Sequence, residues 1–508
     1  MARVAVSMVP GSTTLAVELE DIQGLVRFAY KHHTEAVFLL LRVTDRAAAR
    51  AWLGRAAITD SVTREPPPNT ALQVALTSSG LRALGVAEDI IDSFSPEFVE
   101  GMAGDPSRSR RLGDQGTNDP ARWQWGSAKR IPHVAVLLYA LPGLLHGLQQ
   151  TLEEQLRAGF EIMDRLTTAN LDGVEPFGFV DGISQPELDW NRQRVVGDIA
   201  QRSYVNLSCL GEYLLGYPNE YGLYTPRPLL EPDRDTQRIL PRAEDAPGSC
   251  DLGRNGSYLV LRQLRQDVPG FWQAIDRYAG GVANRREQLA SAMVGRKLDG
   301  QPLVALQTSA ATAGGDSQPS LNAFDYGSDP PGLRCPLGAH IRRANPRNAD
   351  LPPGGDGILS RLVRTLGFDS QAREQDLVAS TRFHRLLRRG REYGTGVTPA
   401  QALAGAGAGE DRGLHFVCLG ANLQRQFEFV QSAWLMSTKF DGMRDESDPL
   451  LGNRLPVAAG MAADRFLVAQ PNGPGQCLAG LPQFVTVLGG AYFFLPGIRA
   501  LRFLSGTR

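Results

Sequence analysis

An α+β fold of two split-βαβ units, each with an antiparallel sheet, is predicted by three observations. The chain has 508 residues, more than one small core can organise and enough for two domains. Its opening part runs strand, helix, strand, strand, helix, the order in which helices cover one face of an antiparallel sheet. From about Tyr204 a similar order resumes. The predicted units are therefore residues 1–203 and 204–508. Layout repeats between them, not sequence identity.

In the first unit, Asp21 to Asp45 opens polar, passes a mixed helical stretch and ends in AVFLLLRV, Ala36 to Val43. That run is short, apolar and flanked by charge, which predicts a buried strand. Arg46 to Arg55 repeats Ala, Leu and Arg at helical spacing. Leu72 to Thr77 predicts a second strand, and Ser79-Gly80-Leu81 begins a helix that stops near Gly85. His133 to Pro142 is the third strand, and Leu144 to Arg165 predicts one long amphipathic helix. Arg108 to Trp125, polar with Gly and Asp, reads as loop. In the second unit, Gly211 to Gly222 predicts a strand into a turn, and Gly256 to Trp272 a strand followed by a helix from near Pro269. Asp411 to Gly420 is a strand with a helix after it through Phe427 to Trp434. Phe484 to Pro496 is a last strand with a Gly-Gly break. Ser309 to Pro331, Asn348 to Gly357 and Ala402 to Gly409 are read as inserted surface loops, which can also wall an access channel.

A hydrophobic fraction of 42% and a charged fraction of 21% are ordinary for a globular chain. With 53 basic against 54 acidic side chains the net charge is −1, which gives no basis for nucleic acid or anionic lipid as a partner. The five cysteines (Cys209, Cys250, Cys335, Cys418, Cys477) are scattered, odd in number and never spaced as CxxC. They argue against a disulfide framework or a structural zinc site and fit a reducing compartment. The amino terminus lacks the long apolar stretch of a signal peptide. The longest apolar run, Val134 to Leu145, is about half of a bilayer span and is interrupted by Pro142. A soluble cytoplasmic protein is expected, with a homo-oligomer left open.

Three stretches carry chemistry. In CPLGAHIRRANPR, Cys335 to Arg347, His340 follows small and apolar residues and precedes Arg342, Arg343 and Arg347. One imidazole holds a metal through one nitrogen, and guanidiniums pair well with carboxylates. Haem asks for that combination, with one iron to ligate and two propionates to neutralise. FGFVDGISQP, Phe177 to Pro186, sets Asp181 between Gly178 and Gly182, on a tight turn whose backbone can approach something flat. Taken alone, an Asp capping its own turn explains it as well. FHRLLRRGREYG, Phe383 to Gly394, follows a Leu-Leu pair with Arg388, Arg389 and Gly390, which suggests one Arg turned inward; the plainer reading is a solvated basic face. His384 competes with His340 as metal ligand, but its run looks charged and helical, so His340 is preferred.

With these three stretches in this order, the chain resembles the dye-decolorizing peroxidases, a family of haem enzymes. The GxxDG signature is Gly178-Phe179-Val180-Asp181-Gly182, the proximal-histidine stretch surrounds His340, and the distal-arginine stretch surrounds Arg388. DIQG (Asp21 to Gly24), GYPNEYG (Gly216 to Gly222), QDVPGFW (Gln266 to Trp272), MVGRKLDGQPL (Met293 to Leu303) and FVTVLGGAYFFLP extend the likeness over nearly the whole chain, nearest the longer bacterial and fungal branches. The departure is the long insertion from Asn348 to Ser380, which bears on the substrate channel and not on the haem chemistry.

The resemblance implies two ferredoxin-like domains of the dimeric α+β barrel type, the first carrying GxxDG and the second the haem. It implies one haem b per chain with His340 as iron ligand, Asp181 as acid/base and Arg388 as stabiliser of charge. Leu414, Phe416 and Gly182 are expected against the cofactor, and Arg342 and Arg347 at its propionates. Glu428 is the candidate partner of the His340 imidazole N–H. Hydrogen peroxide and an aromatic, phenolic or dye-like donor are the expected substrates, with an acidic optimum. The alternative is a haem-handling protein with little turnover. Bulky dyes would pass electrons through surface aromatics, with the six tryptophans as the pool.

Overall fold

A computed structural model describes residues 16–194, 206–306, 320–347, 381–456 and 462–506. The boundary expected at 203/204 and the 348–380 insertion lie outside these residues. The first unit supplies β1 (Glu35–Val43), β2 (Thr70–Leu76), β3 (Val134–Ala140) and β4 (Phe160–Thr167). The second supplies β5 (Ser257–Gln266), β6 (Leu387–Arg388), β7 (Arg391–Tyr393), β8 (Gly413–Gly420) and β9 (Val485–Leu495). They form one nine-stranded sheet in the order β6-β8-β5-β9-β2-β3-β1-β4, with β7 also on β8. Every pairing in it is antiparallel.

Cut between β9 and β2, the row falls into two quartets with the same internal order: second, third, first, fourth. That is the ferredoxin-like arrangement, present twice. The layout shared by the two halves of the sequence is therefore realised in topology. The quartets join edge to edge where Phe494 pairs with Leu76.

β1 reads as an unbroken apolar run because both of its faces are buried. Val37, Leu39 and Leu41 pack with Leu53, Leu152 and Leu156 of the covering helices. Ala36, Phe38 and Leu40 join Tyr139, Leu259, Leu261, Val417 and Phe493, a cluster drawn from both quartets. Each fully buried Leu or Phe contributes roughly 1.5–3 kcal/mol, so the shared cluster is what fastens one quartet to the other.

Several elements differ from the expectation. The long helix ends at Leu156, and its predicted second half is strand β4. Gly159 is the reason: a Cβ there would collide with the Ala49 backbone, and its carbonyl accepts from Thr44 N at 2.9 Å. The chain is drawn onto helix Arg46–Arg55 and turned to pair with β1. Gly211 to Gly222 forms no strand; Tyr213, Leu214, Leu215 and Tyr217 are buried in turns around a 3-10 segment at Leu210–Glu212. Within the expected Arg108–Trp125 loop, a helix at Pro106–Leu112 is started by Asp105, which accepts from Ser107 N and Arg108 N. Gly489 and Gly490 do not break β9; they follow a bulge between Val487 and Gly489 that switches which residues face each side. Phe383 to Gly394 is not helical but carries β6 and β7. The helix through Phe427 to Trp434 is wound as π-helix, Gln424–Glu428 and Val430–Met436.

Candidate active site

The chemistry-bearing stretches all leave the regular frame and meet at one cavity of about 270 Å³. The GxxDG turn follows β4. His340 lies between helix Ala283–Val294 and β6. Apolar walls come from Leu414 and Phe416 of β8, with Val180, Ile183, Ile341 and Leu386.

His340 is the first residue of a short helix, His340–Ala344. Its Nδ1 is 2.9 Å from Asp448 Oδ2. Asp448 is fully buried, and its Oδ1 accepts from Leu450 N at 2.9 Å and Leu451 N at 2.8 Å. Burial pushes the Asp448 carboxyl up, yet the charge and hydrogen bond of His340 outweigh it and hold the group below the usual carboxylate range. A carboxylate so fixed keeps the ring proton on Nδ1 and leaves Nε2 as the nitrogen for the cavity. Glu428, the expected partner, is elsewhere. It pairs with Arg108 Nε at 2.8 Å and accepts from the Tyr492 hydroxyl at 3.0 Å.

Asp181 stands where the backbone needs glycine on both sides: Gly178 has φ +103° and Gly182 φ +74°. Arg388 Nη1 donates to Asp181 Oδ1 at 3.1 Å. The arginine is itself aimed by Gln185 Oε1, which accepts from Arg388 N at 3.0 Å. It is the last residue of β6, so the inward-turned guanidinium comes from a strand end and not from a helix. About a third of each side chain, 35% of Asp181 and 32% of Arg388, stays accessible, and both residues line the cavity. Burial raises the Asp181 carboxyl, but Arg388 and the Gly182 N–H more than offset it, and the group sits below its ordinary value. Arg388 and Asp181 both act electrostatically on His340 across the cavity. Gly182 thus serves Asp181 through its N–H and is not itself part of the cavity lining.

One end of the cavity is strongly cationic. Arg347 and Arg296 both donate to Ser184 Oγ, at 3.1 and 2.9 Å. They also flank Phe324, with guanidinium carbons 3.7 and 5.2 Å from its ring centre. Burial and the neighbouring Arg347 charge pull Arg296 down to about 10. Arg342, expected beside Arg347, faces away. Its guanidinium donates to Cys335 O at 2.8 Å and Asp329 O at 3.0 Å, and it lies outside the lining. Two residues along a helix point about 200° apart, so Arg342 cannot share the His340 face. Arg296 lines the cavity where Arg342 does not, and it was not singled out from the sequence although it lies in the MVGRKLDGQPL run. His384 also lines the cavity, but its ring is stacked on Phe429 at 3.8 Å and its Nδ1 donates to the Arg425 carbonyl.

The donor set fits haem: one imidazole backed by a buried carboxylate, apolar walls, and two guanidiniums at one end for anionic propionates. Iron would be held by His340 and the propionates by Arg296 and Arg347.

Glu175 supports the distal turn. Its carboxylate accepts from Phe177 N and Phe179 N, both at 3.1 Å, and from Gln266 Nε2 at 2.8 Å. Burial is the main cause that lifts its pKa from 4.5 to about 7. With the folded value raised, the unfolded chain ionises first as pH climbs. The stability this group contributes is therefore complete below about 4.5 and lost progressively up to about 7. Urea midpoints measured at several pH values are expected to show the stability difference between the unsubstituted protein and Glu175→Gln shrinking across that window and level above it. A flat difference would place Glu175 in an ordinary, unshifted environment.

No family model matches the chain. It is 30% identical over 457 residues to the multifunctional dye peroxidase DyP2 of Amycolatopsis sp., covering 85% of this chain and 82% of that protein. To dye-decolorizing peroxidase msp1 of Mycetinis scorodonius it is 28% identical over 519 residues, 97% of this chain and 88% of the relative. A solved dye-decolorizing peroxidase in complex with 2,6-dimethoxyphenol aligns with a TM-score of 0.70 at 23% identity, over 96% of this chain and 100% of that one. A fungal DyP-type peroxidase from Auricularia auricula-judae gives 0.70 at 24%, over 97% and 100%. The structural likenesses establish the α+β fold, and the sequence relationship establishes the family: the chain belongs to the dye-decolorizing peroxidases.

Proposed function

We propose that His340, Asp181 and Arg388 are the working residues of this haem-dependent peroxidase, with one haem b per chain, hydrogen peroxide as oxidant and a phenolic or dye-like donor as reductant. The observation that carries the reading is the Asp181–Arg388 pair at 3.1 Å in the same cavity as an imidazole held by a buried aspartate. A protein that only carried haem would have no use for a proton acceptor paired with a cation in the wall of the cofactor pocket. When bound, haem supplies the iron at which the peroxide O–O bond is split. His340 would hold that iron through Nε2, and Asp448 would keep the imidazole basic by accepting a hydrogen bond from its Nδ1–H. Asp181 takes a proton from one peroxide oxygen and delivers it to the other, which leaves as water. Arg388 stabilises the negative charge that develops on the leaving oxygen. Phenolic donors are supported by the 2,6-dimethoxyphenol complex of a structural neighbour. A cytoplasmic location belongs to the same proposal, supported by five cysteines that form no disulfide.

The test is direct. The purified holoprotein is mixed with one equivalent of hydrogen peroxide while the Soret band is followed, and then a phenolic donor is added. A rapid Soret change that the donor reverses is the expected result; an unaltered spectrum would overturn the reading.

A further inference from the structure

Of the guanidiniums that follow His340, Arg347 lines the cavity and Arg342 holds the Cys335 and Asp329 carbonyls. Arg343 does neither. It is fully buried and lies three residues after His340 on the same short helix. Its Nη1 donates to Trp434 O at 2.6 Å and to Ser437 O at 3.0 Å, and its Nη2 donates to Glu446 O. Trp434 and Ser437 stand at the end of helix Val430–Met436, and Glu446 is two residues before Asp448. One side chain thus joins the helix of the imidazole to the turn of its carboxylate partner.

A second guanidinium holds the same turn. Arg454 Nη1 donates to Asp448 O and to Ser447 Oγ, both at 2.9 Å, and its Nη2 to Pro449 O at 2.7 Å. Its Nε donates to Pro482 O at 3.2 Å. Buried carbonyls each need a donor, and the five N–H groups of a planar guanidinium can serve several at once. On the other side of His340 the approach is as close, since a Cβ on Gly338 would run into Glu446 Oε1. The N–H groups that fix Asp448 Oδ1, those of Leu450 and Leu451, belong to the turn itself. They orient the carboxylate within the turn but do not set the turn against His340. Arg343 does, because its backbone moves with the ligand helix while its side chain grips the turn. Asp448 N on Leu435 O, at 2.9 Å, and Arg454 complete the hold.

Resting on the reading of His340 as iron ligand, we propose that Arg343 and Arg454 are positioning residues that clamp the Asp448 carboxylate onto the imidazole and so set the reduction potential of the haem iron. A hydrogen bond to a carboxylate makes the imidazole a stronger electron donor, which favours the ferric over the ferrous state. That bond weakens steeply once its acceptor drifts, and the potential then rises. The two cations also act on Asp448 through their charge. Charge alone makes the carboxylate a poorer acceptor, so its removal would lower the potential. The sign of the shift therefore tells position from charge.

The experiment uses the holoprotein and its Arg343→Met, Arg454→Met and Asp448→Asn variants, with each Met substitution also combined with Asp448→Asn. The readouts are the reduction potential from spectroelectrochemical titration, the iron–histidine stretching band of the ferrous protein, and haem affinity. In both Met variants the potential is expected to rise, in the direction of Asp448→Asn, and the stretching band to move to lower frequency. Haem affinity should fall about tenfold in each. Beside Asp448→Asn the same substitutions should add no further shift of potential, because a residue that acts through Asp448 has nothing left to act on. Arg454 is only partly buried, so Arg454→Met carries the test should Arg343→Met not fold. A potential unchanged or lowered in Arg454→Met, or a shift that persists undiminished beside Asp448→Asn, would overturn the clamp and leave the peroxidase reading intact. An Asp448→Asn potential equal to that of the unsubstituted protein would overturn the role given to Asp448 as well.

Discussion

His340→Ala is expected to be isolated without a Soret band and to gain none when haem is added, whereas His384→Ala keeps it. The two histidines line the same cavity; His340 has the Asp448 carboxylate on its Nδ1, whereas His384 Nδ1 donates to the Arg425 carbonyl. The substitution also has a structural consequence. Asp448 is fully buried, and without the imidazole its Oδ2 loses a hydrogen-bonded, oppositely charged partner. Removing one member of a buried pair is destabilising by about 3–5 kcal/mol when the other stays charged. A lower melting temperature should therefore accompany the lost spectrum. Asp448→Asn separates the two effects: the amide still accepts from Leu450 N and Leu451 N, so the loop holds while the ligand loses basicity. Haem affinity should fall about 10–100-fold in that variant. Glu428→Gln should leave affinity unchanged, since Glu428 is engaged by Arg108 and Tyr492. Haem titrations of the four variants, read at the Soret band beside thermal melts, decide between the candidates. A normal Soret band in His340→Ala would remove this residue from the iron.

The contrast between Asp448 and Glu428 shows how far the sequence was legible. His340, Asp181 and Arg388 could be found because each sits in a stretch whose neighbours announce its role: glycines at positive φ around Asp181, an apolar pair before Arg388, small residues before His340. Asp448 has no such surroundings. It reaches His340 because the chain just after Val430–Met436 turns back on that helix, Asp448 N donating to Leu435 O at 2.9 Å, a tertiary fact that no local spacing encodes. Arg342 and Arg347 looked equivalent as letters, but helix geometry turns Arg342 away from the cavity, whereas Arg347 lies beyond the helix end at Ala344 and lines it. The fold behaved similarly. β1, β3 and β5 were readable as runs buried on both faces, and the matching order of the two halves was visible in outline. Phe160 to Thr167 was not, because its helical pattern continues that of Leu145–Leu156, and only the close approach of Gly159 to Ala49 redirects it.

Asp181→Asn is expected to slow the reaction with peroxide by about 10²–10⁴-fold while leaving haem bound. An amide of the same shape can still accept from the Gly182 N–H but cannot take a proton at any working pH. The pH profile carries the sharper argument. Asp181 acts as a base only when ionised, and its carboxyl is held below the ordinary 3.8 although burial alone would raise it. Activity on the acid side should therefore persist to pH values where a histidine base would already be protonated, and fall only as pH drops through that depressed value. Arg388 is the main cause that lowers it. Arg388→Leu should then do two things at once. It removes the cation that faces the leaving oxygen, worth about 10²–10³ in rate. It also lets burial govern Asp181, so the acid limb of the residual activity moves to higher pH. Arg388→Lys retains the charge and should keep the limb near its original place while losing part of the rate. Stopped-flow rates of the Soret change across pH, for the three variants and the unsubstituted enzyme, separate these effects. An acid limb that stays fixed in Arg388→Leu would mean that the group limiting the rate at low pH is not Asp181.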